Sequence, residues 1–242
     1  MDKRWHKVQW GSGQQRARTS AANWRQPLLW NRTPFFECLV CHWRGERKDI
    51  AAADLVGCPI CHDFALPARR RVFCASLADV FDNEVPRAWR LDLFELIEAT
   101  PHLDWLLLTK RIGNAFTMLP MDFCPARYPN VWLGSTVVNR EEMLRDGPKL
   151  AVINAAVTFW SVEPMLGDLG EIPEAIMPSW VIAGGESGPK ARPSDVEWFR
   201  GLMQQCKAAG VAFHLKQITE RGRPTPIETW PEDLRVQQFP SP

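Results

Sequence analysis

From Arg71 onward the chain alternates between short apolar β-rich runs and helical patterns, and this alternation constrains the fold more than any other feature. The β-rich runs are RVFCAS (71–76), DWLLLTK (104–110), NVWLGSTV (130–137), VTFWSVEP (157–164), SWVIAGGESG (179–188) and VAFHLKQI (211–218). Between them, VPRAWRLDLFELIEA places Trp89, Leu93, Leu96 and Ile97 on one helical face. REEMLRDGPKLAVI also reads as a helix, and DVEWFRGLMQQCKAAG reads as one capped by Ser194 or Asp195 and closed at Gly210. Strands that alternate with helices pair in parallel, with the helices outside the sheet. Six such units predict an α/β fold built as a full or partial TIM-like (β/α) barrel, with a doubly wound open sheet as the alternative.

The polar residues of these runs fall at their carboxyl ends. Ser76 and Asp79 follow the first run; Thr109, Lys110 and Arg111 end the second; Ser135 ends the third. Ser161 and Glu163 end the fourth, Glu186 and Ser187 follow the fifth, and Lys216 and Gln217 end the sixth. In parallel β/α folds these ends converge on one rim, which carries the site. Asp79, Lys110, Arg111, Glu163 and Lys216 are therefore candidates for a polar pocket holding a small-molecule ligand. Each alone has a structural alternative as a helix cap, a rim ion pair or a solvated loop residue. In IAGGESGPKARP, Gly184 and Gly185 free the backbone beside Glu186 and Ser187 to approach a ligand closely.

Four of the seven cysteines are clustered near the front, as Cys38-x-x-Cys41 and Cys58-x-x-Cys61, with sixteen residues between the pairs. A tight turn carrying Cys-x-x-Cys aims two thiolates at one point, and two such turns complete the tetrahedron that Zn²⁺ prefers. The spacing is close to that of zinc ribbons, and four cysteines make a closed, structural site. The stretch has little apolar material, so metal would supply most of its folding energy. A redox pair or chance clustering is the alternative. His42 and His62 adjoin the pairs as substitute ligands; Cys74, Cys124 and Cys206 stand apart and read as small apolar residues.

Charge is distributed unevenly. Residues 1–71 hold 13 Lys/Arg against 6 Asp/Glu, although the whole chain carries a net charge of only +1. This basic front half contains Trp5, Trp10, Trp24, Trp30 and Trp43. Cations bind phosphates and indoles stack on bases, so nucleic acid is a candidate partner; a solvated basic face is the plain alternative. No apolar run approaches the roughly 20 residues needed to cross a bilayer, and the amino terminus has no apolar core of a signal peptide, so a cytoplasmic, membrane-free protein is expected. The domain boundaries expected are a basic Trp-rich arm over 1–34, a zinc-ribbon-like insertion over 35–71, a barrel-like domain over 72–218 and a tail over 219–242.

RVFCASLADVFDNEVP, LLLTKR, PNVWLGSTVVNRE, FWSVEPMLGDL, WVIAGGESGPKARP and AGVAFHLKQ occur in this order. Together they closely resemble the phage and prophage protein family named for gene products 37 and 68, over about residues 20–220. The resemblance implies a partial β/α barrel like the radical S-adenosylmethionine (SAM) core, with a [4Fe–4S] cluster and SAM as cofactors, no settled reaction, and an origin in phage or prophage within a bacterial cytoplasm. WRQPLLWNR (24–32) matches the family stretch just downstream of a three-cysteine motif. This sequence begins at Met1 just past that motif, so the expectation is a truncated chain that does not cleave SAM. GGES (184–187) resembles the Gly-Gly-Glu element that contacts the SAM amino group, here after a late strand. Two function classes follow: a radical-SAM-like enzyme whose cluster motif lies upstream, or a zinc-ribbon module for nucleic acid or protein on a catalytically silent barrel.

Overall fold

The computed structural model describes residues 13–50, 57–75, 78–188 and 190–240; Trp5, Trp10 and Ser76 lie outside the described residues. Helix α1 (Ala21–Arg32) opens on Ser20, whose hydroxyl accepts from the Asn23 N–H, and carries a buried Pro27. Strands β1 (Phe35–Cys38), β2 (Arg44–Glu46) and β3 (Ala65–Pro67) follow. They form an antiparallel sheet in the order β2-β1-β3, with Phe36 opposite Gly45 and Cys38 opposite Ala65.

Next come β4 (Arg70–Cys74), α2 (Arg87–Glu98), β5 (Leu103–Thr109), α3 (Ile112–Met118), β6 (Val131–Thr136), α4 (Arg140–Ala151), β7 (Val157–Val162), β8 (Trp180–Gly184), α5 (Val196–Ala208) and β9 (Ala212–Gln217). Strands β4 to β9 form one sheet in simple chain order. A doubly wound sheet reverses its strand order at a switch point; a barrel adds each new strand on the same side. The observed order is the second kind, and the sheet is a curled parallel half-barrel, compatible with a partial β/α barrel. All six residues of β6 and all five of β8 are buried, as expected of strands covered on both faces.

The chain divides into two compact units, Met1–Phe73 with Asn83–Trp105, and Cys74–Asp82 with Leu106–Pro242. In the first, α2 buries Arg90, Leu93, Phe94 and Ile97; Trp89 and Leu96, expected on the apolar face, are only half-buried. In the second, register places Trp132, Val157, Phe159, Trp180 and Ile182 on one sheet face, where with Leu106 they form an apolar cluster. Gly134 lies opposite Phe159, and a Cβ there would sit 2.3 Å from the Phe159 ring. On α4, Asn139 caps the Glu142 N–H at 2.9 Å; on α5, Asp195 caps Glu197 and Cys206 is fully buried, as a small apolar residue should be.

Past β9 a short hairpin pairs β10 (Thr219–Glu220) with β11 (Arg223–Pro224). The chain then returns along β9: Leu215 N–H donates to the Val236 carbonyl at 2.8 Å and Gln238 N–H to the Phe213 carbonyl at 2.9 Å. The Trp180 indole donates to the Gln238 carbonyl, and Phe239 packs on Trp180 and His214. This return covers the strand edge that would otherwise be open to pairing with another chain.

Candidate functional site

The four paired cysteines assemble at the end of the small antiparallel sheet. Cys38 closes β1, Cys41 lies in the β1–β2 turn, and Cys58 and Cys61 lie in the turn before β3. The two turns share one geometry. Cys38 N–H donates to the Trp43 carbonyl and Cys58 N–H to the Asp63 carbonyl, five residues on in each case. The residue after each pair, His42 (φ 58°) and His62 (φ 65°), is left-handed, a conformation histidine tolerates better than most side chains. The histidines thus shape the turns, and the only group of three or more possible metal ligands among the described residues is the four cysteines.

Their sulfurs all lie within 4.8 Å of one another, with Cys38–Cys61 at 3.5 Å and Cys41–Cys58 at 3.4 Å. Thiolates at about 2.3 Å from one zinc, in a tetrahedron, stand about 3.8 Å apart, so the set suits a single ion. Cys38 and Cys58 are buried and Cys61 is exposed. The Trp43 N–H favours the Cys41 thiolate, but burial and the neighbouring thiols outweigh it and push that thiol up to about 12. Burial opposes ionisation of Cys58, yet N–H groups of Cys61 and Ile60 and the adjacent thiols pull it down to about 7. Four thiolates this close cannot all ionise unless a cation joins them, and a divalent metal such as zinc supplies that charge.

The set does not fit a [4Fe–4S] cluster with an open iron. In a cube each thiolate binds a different iron, whereas these four converge on one point. Cys74 lies on β4, Cys124 in the loop after α3 and Cys206 on α5, and they form no ligand group among the described residues.

The rim candidates fall into separate pairs. Asp79 is buried and accepts from Thr109 Oγ1 (2.7 Å) and from the N–H groups of Phe81 and Lys110 (both 3.0 Å), while Arg111 reaches it at 3.2 Å. Lys110 is exposed. Glu163 pairs with Lys216 at 3.0 Å and accepts from the Ser161 hydroxyl at 3.2 Å. Gly184 backs this pair: a Cβ there would stand 3.1 Å from Glu163 Oε1. The Gly185 amide, expected to be open, donates to the Gln217 carbonyl, and a Cβ at Gly185 would collide with Ser194 and Thr219. Close packing inside the protein therefore requires glycine at 185, while at 184 a Cβ would press on the Glu163 side chain. The Arg192 guanidinium and N–H hold Glu186 down to about 2, and Ser187 is exposed.

Sequence reading missed an arginine cluster on the first unit. Arg44 pairs with Glu37, Arg70 with Glu46, and Arg69 with Asp104 at 3.6 Å; Arg71 lies 3.9 Å from Glu37. Arg70 stands over the rings of Phe35 (4.8 Å) and Trp30 (5.6 Å), and Arg18 over Trp24 (3.8 Å). The run Arg69-Arg70-Arg71 was the available signal, visible only as part of the basic balance.

Fold and site together define an α/β protein with a parallel half-barrel sheet and a four-cysteine cluster able to hold a metal. The chain belongs to the family described as protein of unknown function DUF5131, whose model matches residues 1–229. That description carries no activity, no phage designation and no relation to radical SAM enzymes. No curated protein and no solved structure matches the chain. Among the described residues no helix is long and apolar enough to cross a membrane.

Proposed function

We propose that the chain is a zinc-stapled nucleic-acid-binding protein, with Cys38, Cys41, Cys58 and Cys61 holding one Zn²⁺ in a ribbon-like module. The observation that carries this reading is the convergence of four sulfurs within 4.8 Å at the mouths of two matching turns. Four protein ligands leave no position for water or substrate, so the ion's role is to fold the module. A reducing, cytoplasmic setting keeps such thiols available for metal. The nucleic-acid half of the reading is supported by the 13 Lys/Arg against 6 Asp/Glu of residues 1–71 and by guanidinium groups set over aromatic rings. Protein purified without added metal is expected to contain about one zinc per chain, and to bind short nucleic acids with an affinity that falls steeply with salt. Metal-free protein with an intact module, or no nucleic-acid binding at low salt, refutes the corresponding half.

A second reading is favoured by Glu163, Lys216 and Gly184, which meet at the carboxyl ends of adjacent strands. That ion pair, with Asp79, Lys110 and Arg111 on the same rim, would take a small polar ligand. Protection of Lys216 from acylation by candidate ligands tests it, and equal labelling in every ligand's presence argues against it.

A further inference from the structure

We propose that Arg44, Arg69, Arg70 and Arg71 form a phosphate-contacting site for a nucleic-acid backbone. The inference rests on the nucleic-acid reading and assigns it a place. Arg44 comes from β2, Arg70 and Arg71 from the start of β4, and Arg69 from the residue just before it, so neighbouring segments bring four guanidinium groups together. Two linked groups result. Arg44, Arg69 and Arg71 interact with Glu37 and Asp104, and Arg70 and Lys48 with Glu46. With Asp49 also acting on Lys48, these five cations face four carboxylates.

The excess charge is not freely solvated. The side chains of Arg44, Arg70 and Arg71 are only 18–20% exposed. Burial, and next the charge of Arg44, push the Arg71 guanidinium down to about 10. A partly desolvated excess of positive charge is costly, and an incoming phosphate offsets it with charge-assisted hydrogen bonds. A guanidinium carries five donors in a fork that a phosphate oxygen can share with a carboxylate.

Aromatic rings hold the cluster in place. Phe35 lies under both Arg44 (5.5 Å) and Arg70 (4.8 Å), and Trp30 under Arg70. Guanidinium groups held near aromatic rings lose less freedom on binding than free arginines do. Arg69, with its side chain 38% exposed, and Lys48, 75% exposed, are the members most open to solvent.

The test uses the full chain with its metal. Fluorescence anisotropy would follow a labelled single strand of about 20 nucleotides and its duplex, between about 50 and 200 mM salt. Inorganic phosphate serves as a competitor. Losing one phosphate contact lowers the single-strand salt slope by about 0.7, which is about 8-fold weaker binding at 50 mM and about 3-fold at 200 mM. Arg69→Gln and Lys48→Gln are each expected to show this loss, with zinc content and circular dichroism unchanged, and Arg69→Lys to keep most of the slope. Wild-type binding that neither glutamine variant alters would overturn the site and leave the nucleic-acid reading standing. Absence of wild-type binding at 50 mM salt would overturn both. Inorganic phosphate binding as tightly as the oligonucleotide would overturn the backbone as the ligand's source.

Discussion

Replacing Cys58 by Ser perturbs the proposed zinc site at one of its two buried ligands. The Cys58 side chain is 1% exposed, its sulfur lies 3.4 Å from that of Cys41, and it accepts from the Ile60 N–H at 3.4 Å. Serine fits this space but offers a neutral hydroxyl where zinc needs a thiolate. Structural zinc in small modules binds with about 10–16 kcal/mol; a middle value of about 13 kcal/mol corresponds to a Kd of about 0.3 nM. At about 10 µM free zinc, that affinity stabilises the folded module by about 6 kcal/mol. Divided evenly over four thiolates, the loss of one costs about 3 kcal/mol, or about 200-fold in affinity. The wild type should then keep about one zinc per chain through gel filtration against a chelator of intermediate strength, and Cys58→Ser should lose it. Limited proteolysis should follow the metal, with new cleavage within residues 36–64 in the variant and in chelator-stripped wild type. Elemental analysis showing one zinc per chain in Cys58→Ser after that chelator step would refute the reasoning, because a four-thiolate site cannot ignore the loss of a buried ligand.

Other outcomes follow from single residues. Gly134→Ala would drive a methyl to 2.3 Å from the Phe159 ring, so a loss of about 1–3 kcal/mol is expected in chemical denaturation; a change within error would mean the sheet face packs otherwise. Arg192 lowers the Glu186 carboxyl from 4.5 to about 2, so the folded state holds it ionised more readily than the unfolded chain does. Its contribution is therefore present above about pH 4.5 and lost as pH falls through about 2, and the melting-temperature gap between wild type and Glu186→Gln should close over that window. A gap that widens on acidification contradicts the sign. Anaerobic iron–sulfur reconstitution of residues 1–242 should give no four-iron absorbance and, with SAM and a reductant, no 5′-deoxyadenosine, because Cys74, Cys124 and Cys206 lie on separate elements. Detection of both would restore radical chemistry to this chain.

The central β-runs were legible because a strand buried on both faces is a local property: Leu103–Thr109 and Val131–Thr136 are nearly continuous apolar segments wherever they end up. The cysteine cluster was legible for the same reason. Two residues between cysteines set a turn, and repeating that turn sixteen residues on brings four sulfurs together whatever lies beyond. Helix α1 was not read, since its Pro27 and mixed surface give no clear period; Ser20 and the packing of Pro27 define it instead. Nor did the run after Arg71 choose between a barrel and a doubly wound sheet. Strand order is a matter of which segment each crossover returns to, and that depends on contacts far apart in the chain. The same limit governs side chains. That Gly184 and Gly185 lack a Cβ is evident from their names, but the neighbours that fill the space are Glu163, Gln217, Ser194 and Thr219, drawn from three other parts of the chain. Likewise, the polar residues at the strand ends could be read along the chain, but the pairing of Asp79 with Arg111 and of Glu163 with Lys216 came from tertiary proximity, because charge chooses its partner through space rather than along the sequence.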